Sequence, residues 1–371
     1  MLNDYMGIIS LNEDDIKIKS LTIHRPLASI PIFGRYRIID FILSNLVNSG
    51  ITNVAIFAHS NSRSLYDHLG TGKPWDLNRK IDGLFIFNHS LDNTNISDMK
   101  QMKNNMEYLC RSKKNKVIFS TSQMIYNINF EEAAKFHEES GADVTIIYKK
   151  VRQNSEMFDE CDLLNISNER VISVGKNMGI TNTAYVSLDT FILSKDFLIK
   201  SILNCLEFGN CTSFKNYIYQ NVSTLNVNAF EFKGYLSRIN SISSYYKTSM
   251  DILNLEIRNE LFFKNGLIYT KSNDSPPTRY FSSSEVTNSL ISNGCIIKGK
   301  VKNSILSRGV VIEEDAFVED SIIFPKCVVK SGALLKNVIL DKNVVIDEHV
   351  TLVGDKKFPI VMEKVSLVNI K

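Results

Sequence analysis

No apolar run in the 371 residues reaches the ~18–20 that would span a bilayer, so no membrane segment is expected. The start, MLNDYMGIIS, lacks a basic stretch followed by an apolar one, and no secretory signal is read there. The six cysteines (Cys110, Cys161, Cys205, Cys211, Cys295 and Cys327) form no CxxC pair and no metal spacing with histidine. That argues against zinc and against a disulfide framework, and fits free thiols in a reducing cytoplasm. An excess of one charge is also missing. A formal net charge of +3 gives no reason to expect nucleic acid as a partner. His59, His68, His89 and His137 are scattered without ligand spacing and read as structural or surface residues.

What is present is an ordinary globular composition, 44% hydrophobic and 22% charged. The length suits one large α/β domain and a smaller second unit. Short apolar runs alternate with helical patterns: strands at Met6–Ser10, Asn53–Ala58, Gly83–Phe87, Lys116–Phe119 and Asp143–Tyr148. Helices are expected at Tyr36–Ser49, Ser62–Leu69, Asp98–Ser112 and Phe130–Ser140, with a last one from about Ser241 to Phe263. Gly50 and Gly141 stand where two of these should stop. Repeated strand–helix–strand units predict a Rossmann-like, mostly parallel sheet that binds ligands beyond the C-terminal ends of its strands.

Later the period changes. Leu306, Ile312, Val318, Ile323, Val329, Leu335, Leu340, Ile346 and Leu352 follow at steps of 6, 6, 5, 6, 6, 5, 6 and 6. Neither a helix nor a simple strand gives this spacing. Three short strands per coil, each with one inward residue, do, and a parallel β-helix is expected. A sandwich of short antiparallel strands is the alternative. The resulting division is 1–263 for the α/β domain, 264–284 for a polar connector with Pro276 and Pro277, and 285–371 for the β-helix. His349 is the one histidine of the last part. Without a long excursion loop it is a poor candidate for the base of a hexapeptide acyltransferase.

Several strings carry a resemblance: FGRYRIIDF at Phe33–Phe41, LSNLVNSG at Leu43–Gly50, and HLGTGKPWDLNR at His68–Arg79. In that order they closely resemble the ADP-glucose pyrophosphorylases (glucose-1-phosphate adenylyltransferases) of bacterial glycogen synthesis. The resemblance runs over nearly the whole chain. It implies a GT-A-like nucleotidyltransferase domain followed by a left-handed β-helix. The implied reaction converts ATP and glucose 1-phosphate to ADP-glucose and pyrophosphate. Such chemistry needs a glycine loop against the triphosphate, a cation on the leaving pyrophosphate, and Mg²⁺ held by carboxylates.

The chain departs from the family at those points. The family's LAGGxGxRL is matched by Ser10–Ile18, with Asn12, Glu13 and Asp15 at the glycine positions and Lys17 at the catalytic arginine. Glu13, Asp14 and Asp15 would repel a polyanion. Lys17 keeps the charge without the planar fork, or is simply a solvated loop cation. The metal aspartates fall on Gln123 and Arg238. The family's Gly-Thr-Ala turn is replaced around Ser97–Asp98–Met99, and its Glu-Glu-Lys-Pro string by Val174–Asn177, leaving Lys176 as a phosphate contact or a surface lysine.

This pattern of loss resembles the GlgD-type subunit of the family, which modulates an active paralogue. The resemblance implies no metal or cofactor in this chain, with Mg²⁺ in the catalytic partner. It also implies a hetero-oligomer, expected to be a tetramer, assembled partly through the β-helix. Arg35 and Arg37 lie in the segment that the family places near its sugar-phosphate effector. They could equally pair with Asp40 or cap the sheet edge. Two other readings stay open: an active nucleotidyltransferase whose rearranged metal site uses Asp14 or Asp15, and a sugar-phosphate sensor without a transferase partner.

Overall fold

A computed structural model of the chain describes residues 1–58, 62–88, 97–152, 158–178, 183–208 and 213–364. His59, His89 and Cys211 lie outside the described residues. The chain forms two compact units, each assembled from separate segments. The first takes Met1–Glu13, Ile39–Arg238 and Glu260–Tyr269; the second takes Asp14–Ile38, Ile239–Asn259 and Thr270 onward.

Among the described residues the main sheet of the first unit has nine strands: β1 (Tyr5–Ser10), β2 (Asn53–Ala58), β3 (Gly83–Asn88), β4 (Lys116–Thr121), β5 (Val144–Arg152), β6 (Asp162–Ser167), β7 (Arg170–Lys176), β8 (Thr183–Ser194) and β9 (Val227–Glu231). Their order in the sheet is β3-β2-β1-β4-β8-β5-β9-β7-β6. The pairings β3–β2, β2–β1, β1–β4 and β5–β9 are parallel, while β8 runs antiparallel between β4 and β5. Alternate residues Met6 and Ile8, Val117 and Phe119, and Val144 and Ile146 enter one buried cluster, as the period of two requires. That face is covered by helices over Asp98–Asn104, Met106–Arg111, Lys195–Phe208 and Phe214–Gln220, through Met99, Leu109, Ile202 and Ile218.

Two family strings are structural devices. In LSNLVNSG, Asn45 donates to Tyr126 O (3.1 Å) and accepts from Ile128 N (3.2 Å), while Ser44 Oγ accepts from Tyr269 N (2.9 Å). In GKPWDL, a left-handed Gly72 (φ 79°) lets the chain turn so that Trp75, 1% exposed, packs edge-on against His68.

Three expected helices are shorter than their patterns. The helix predicted from Tyr36 starts at Ile39, because Tyr36–Arg37 pairs with Pro31–Ile32 around Phe33 and Gly34, both at positive φ. Asp98–Ser112 is broken at Asn105, whose side chain caps Gln101 O (2.8 Å). The pattern from Ser241 divides into Ile242–Asp251, Leu255–Asn259 and a wide turn at Glu260–Lys264.

In the second unit three parallel five-stranded sheets wind as the left-handed β-helix. All nine hexad positions fall within its strands. Steps of 6, 6 and 5 close one coil, so Val318 stacks on Leu335 and Leu335 on Leu352, while Ile312 stacks on Val329 and Val329 on Ile346. Eight are buried and Leu352 is half-buried. The corners use left-handed residues in columns: Asn303, Asp320 and Asn337 at one, Asp315, Gly332 and His349 at another. Asn and Asp tolerate that backbone through short polar side chains. His349 is thus an exposed corner residue.

The segment Asp14–Ile38 and the helix Ile242–Asp251 join this unit through buried polar anchors. Arg25 grips Asp341 with two bonds of 2.8 and 2.7 Å, the side chains 7% and 2% exposed. Tyr245 donates to Pro31 O (2.6 Å), and Tyr246 to Asp320 O (2.6 Å) and Asn337 Oδ1 (3.1 Å).

Candidate functional site

The parallel strands β1 and β4 end side by side, Ser10 opposite Thr121, at the edge where such sheets place ligands. Here the chain supplies its own anions. Glu13 turns back from the end of β1, and its Oε1 accepts the backbone N–H (2.6 Å) and the hydroxyl (2.8 Å) of Ser122. Burial raises the Glu13 carboxyl against the opposing pull of Ser122. Asp98 opens its helix with Ser97 as N-cap and accepts from Ser10 Oγ (3.2 Å) and Phe214 N (3.0 Å). Burial lifts its pKa to about 6, more than these donors and Lys215 offset.

A third carboxylate lies in β8. Pairing with β5 slips between Ser187 and Phe191, and Asp189 sits in that bulge at φ +51°. Bulges re-aim side chains beside functional sites, and this one points Asp189 inward, where it is 2% exposed. Its Oδ2 accepts from Gln123 Nε2 (2.9 Å) and Lys215 Nζ (3.2 Å), and Oδ1 from Tyr219 Oη (3.3 Å). Lys215 and Tyr219 are four apart on the helix Phe214–Gln220, which Ser213 caps, so both reach the same target.

Lys215 also binds Asp162 (2.9 Å), which Lys176 meets from the other side (2.7 Å). Burial opposes ionisation of Asp162, but Lys215 and Lys176 hold it below the usual carboxylate range. Burial disfavours the Lys215 ammonium, and Asp189 and Asp162 more than reverse that, holding its pKa above the usual lysine value.

Gln123 directly precedes a short strand that pairs with the strand holding Arg238. The short strands Met124–Ile125 and Ser237–Arg238 pair antiparallel, with Arg238 opposite Met124. Arg238 donates to Asp159 O (3.1 Å) and to Cys161 Sγ (3.2 Å). Cys161 is buried, which pushes its thiol up to about 11 despite the guanidinium. Lys176 reaches the same network through Asp162.

The remaining sequence candidates make other contacts. Asn12 is exposed beside Glu13. Lys17 is exposed in the single turn Ile16–Ile18; Asp14 accepts from Ile16 N (3.0 Å), and Asp15 lies 3.5 Å from Lys19. In the second unit the Arg35 guanidinium lies over the Tyr36 ring, 5.2 Å from its centre, and Arg37 donates to Ser29 O. Asp40 instead meets His68 Nε2 at 2.5 Å. Sequence reasoning missed Asp162, Asp189, Lys215 and Tyr219, and counted Asp98 only as a lost turn. The one available signal was an acid inside the apolar strand pattern Tyr185–Leu193.

An α/β nucleotidyltransferase-type unit and a hexad-built β-helix define the class, and family comparison agrees. Residues 17–157 match the nucleotidyl transferase family model, and residues 276–358 match the GlmU-like C-terminal hexapeptide model. The chain is 34% identical to the "Glycogen biosynthesis protein GlgD" of Bacillus subtilis (strain 168), over 83% of this chain and 80% of that protein. It is 33% identical to the protein of the same name from Geobacillus stearothermophilus, over 86% and 84%. It is 29% identical to the glucose-1-phosphate adenylyltransferase of Fervidobacterium nodosum, over 88% and 80%. The chain therefore belongs to the ADP-glucose pyrophosphorylase (glucose-1-phosphate adenylyltransferase) family, on its GlgD-type branch.

Gln123 and Arg238, the residues that the sequence comparison aligned with metal aspartates, do not fit Mg²⁺. The Gln123 amide is committed to Asp189 as a donor, and Arg238 brings positive charge where a hard cation needs oxygen ligands. Asp162 and Asp189 already share the Lys215 ammonium. Among the described residues no group of three or more His, Cys, Asp or Glu could hold a metal ion. No described helix is long and apolar enough to cross a membrane.

Proposed function

We propose that the chain is a modulatory subunit of glucose-1-phosphate adenylyltransferase in glycogen biosynthesis, impaired in catalysis when alone. The reading is carried by Gln123 and Arg238, which the resemblance aligns with the family's metal carboxylates; Arg238 stands opposite Met124, the residue after Gln123. A guanidinium there opposes the neutralisation that phosphoryl transfer requires. The greater identity to proteins named GlgD than to the Fervidobacterium nodosum adenylyltransferase supports the same reading.

In this account the partner is a catalytic ADP-glucose pyrophosphorylase subunit in a cytoplasmic hetero-tetramer. That partner holds Mg²⁺ and converts ATP and glucose 1-phosphate to ADP-glucose and pyrophosphate. This chain needs no cofactor and acts through assembly. The stacked β-helix offers flat faces for pairing with another chain. Arg35, exposed, and Arg37, half-buried, supply guanidinium groups suited to a sugar-phosphate effector. Lys176, 59% exposed and paired with Asp162, is a weaker candidate for the same class of ligand.

The test mixes the purified chain with the catalytic paralogue from the same genome. Co-purification and a changed turnover or effector response are expected. Absence of both association and any kinetic change refutes the proposal. Calorimetry on the isolated chain with ATP, glucose 1-phosphate and fructose bisphosphate separates it from a free-standing sensor, which requires tight binding without a partner.

A further inference from the structure

We propose that the Asp189 carboxylate occupies an oxyanion site of the phosphate class built by this chain's own donors, and that removing it opens the site. Four observations converge. Asp189 holds a left-handed backbone (φ +51°) that residues other than glycine, asparagine and aspartate rarely adopt, and it does so inside a bulge, with its side chain buried. Three donors from two elements converge on it: Gln123 after β4, and Lys215 and Tyr219 from one face of their helix. Ammonium, amide and phenol hydroxyl around one buried anion is how a protein holds phosphate oxygens.

The third observation is that donors are left over at this edge. Thr121 Oγ1 and Arg238 Nε are buried without a hydrogen-bond partner, a costly state that a larger anion with more oxygens would relieve. Fourth, Asp189 is not alone. Glu13 takes the Ser122 backbone and hydroxyl donors, and Asp98 those of Ser10 and Phe214. Three carboxylates of the chain thus satisfy the groups that a ligand's phosphates would meet at the end of a parallel sheet. The inference deepens the reading of an impaired pocket. Its test needs neither a partner nor turnover, so its failure and the failure of subunit modulation are separately visible.

The experiment compares the full chain with Asp189→Gly, Asp189→Ala and Asp189→Asn by calorimetry and by ³¹P NMR. The probes are inorganic phosphate and glucose 1-phosphate. Glycine suits the positive φ, so Asp189→Gly should keep its circular dichroism and melting curve; Asp189→Ala is the second variant without a carboxylate. Both should bind phosphate at least about tenfold more tightly than wild type. Asp189→Asn fills the same space and should bind no better than wild type. Adding Lys215→Met to Asp189→Gly should abolish the gain.

Tighter binding of glucose 1-phosphate than of inorganic phosphate would identify a sugar-phosphate site, and equal binding a bare oxyanion site; either supports the proposal. Three results overturn it. One is wild type binding phosphate as tightly as Asp189→Gly. The second is folded Gly and Ala variants that bind no phosphate. The third is an Asn variant that binds as well as they do.

Discussion

In the β-helix, Val318, Leu335 and Leu352 occupy the same place on successive coils, and each could be replaced by another branched apolar residue without changing what the position does. At the end of β1, no residue is interchangeable in that way. Glu13, Asp98 and Asp189 each answer a particular set of donors, and Lys215 answers two acids at once. The first region is held by burial, which is non-directional and tolerant. The second is held by directional, charged bonds in a low dielectric, where each partner lost leaves another exposed to the full cost of desolvation. The charged groups at this edge satisfy one another rather than solvent.

The contrast can be broken by substitutions on either side. The largest effect is expected from Arg25→Ala, which strands Asp341 in the interior of the β-helix unit. Breaking a buried pair by removing one partner costs about 3–5 kcal/mol, and chemical denaturation should show that loss in the β-helix transition. An unchanged midpoint would mean that the segment Asp14–Ile38 does not belong to that unit. Leu335→Ala follows, at about 2–5 kcal/mol for a fully buried leucine, with the spread set by how far neighbouring coils can close on the cavity.

The pocket should respond in the opposite direction. Asp98 has a folded pKa of about 6 against an ordinary value of 3.8. Below about pH 4 both folded and unfolded chains carry the proton. Between about pH 4 and pH 6 the folded chain keeps a proton that the unfolded chain has released, so stability falls as pH rises through that window. Above it the loss is complete, at roughly 3 kcal/mol. Asp98→Asn removes this slope, so the variant should gain stability over wild type at pH 7 relative to pH 4. Equal slopes in denaturant titrations at the two pH values would contradict it. The smallest effect is expected from Tyr246→Phe, which gives up the bonds to Asp320 and Asn337 at about 1 kcal/mol, read as a small downward shift in melting temperature.

The two regions also differ in how much of them the sequence discloses. A stacked coil repeats its demand at fixed intervals, so nine inward positions could be named from spacing alone, and all nine lie in strands. Helix ends were less legible, because they depend on single side chains. Asn105 caps the carbonyl of Gln101, and the hairpin at Phe33–Gly34 delays the next helix to Ile39. At the end of β1, comparison of strings drew attention to residues 123 and 238 as positions where the resemblance implies metal aspartates. It could not expose what had taken over. Asp189 depends on a slip of register in β8, and Glu13 on a reversal of the chain toward Ser122; neither leaves a period or a motif. The acids at Glu13–Asp15 read as repulsion toward a polyanion. The structure divides them: Glu13 is a bonded acceptor, and Asp14 and Asp15 serve the turn that follows.

The most direct test of a pocket without its chemistry is turnover by the purified chain with ATP, glucose 1-phosphate and Mg²⁺. The account predicts no ADP-glucose above the protein-free blank. Steady formation of ADP-glucose, abolished by Asp14→Ala and Asp15→Ala, would contradict it and place a working metal site on the loop after Glu13.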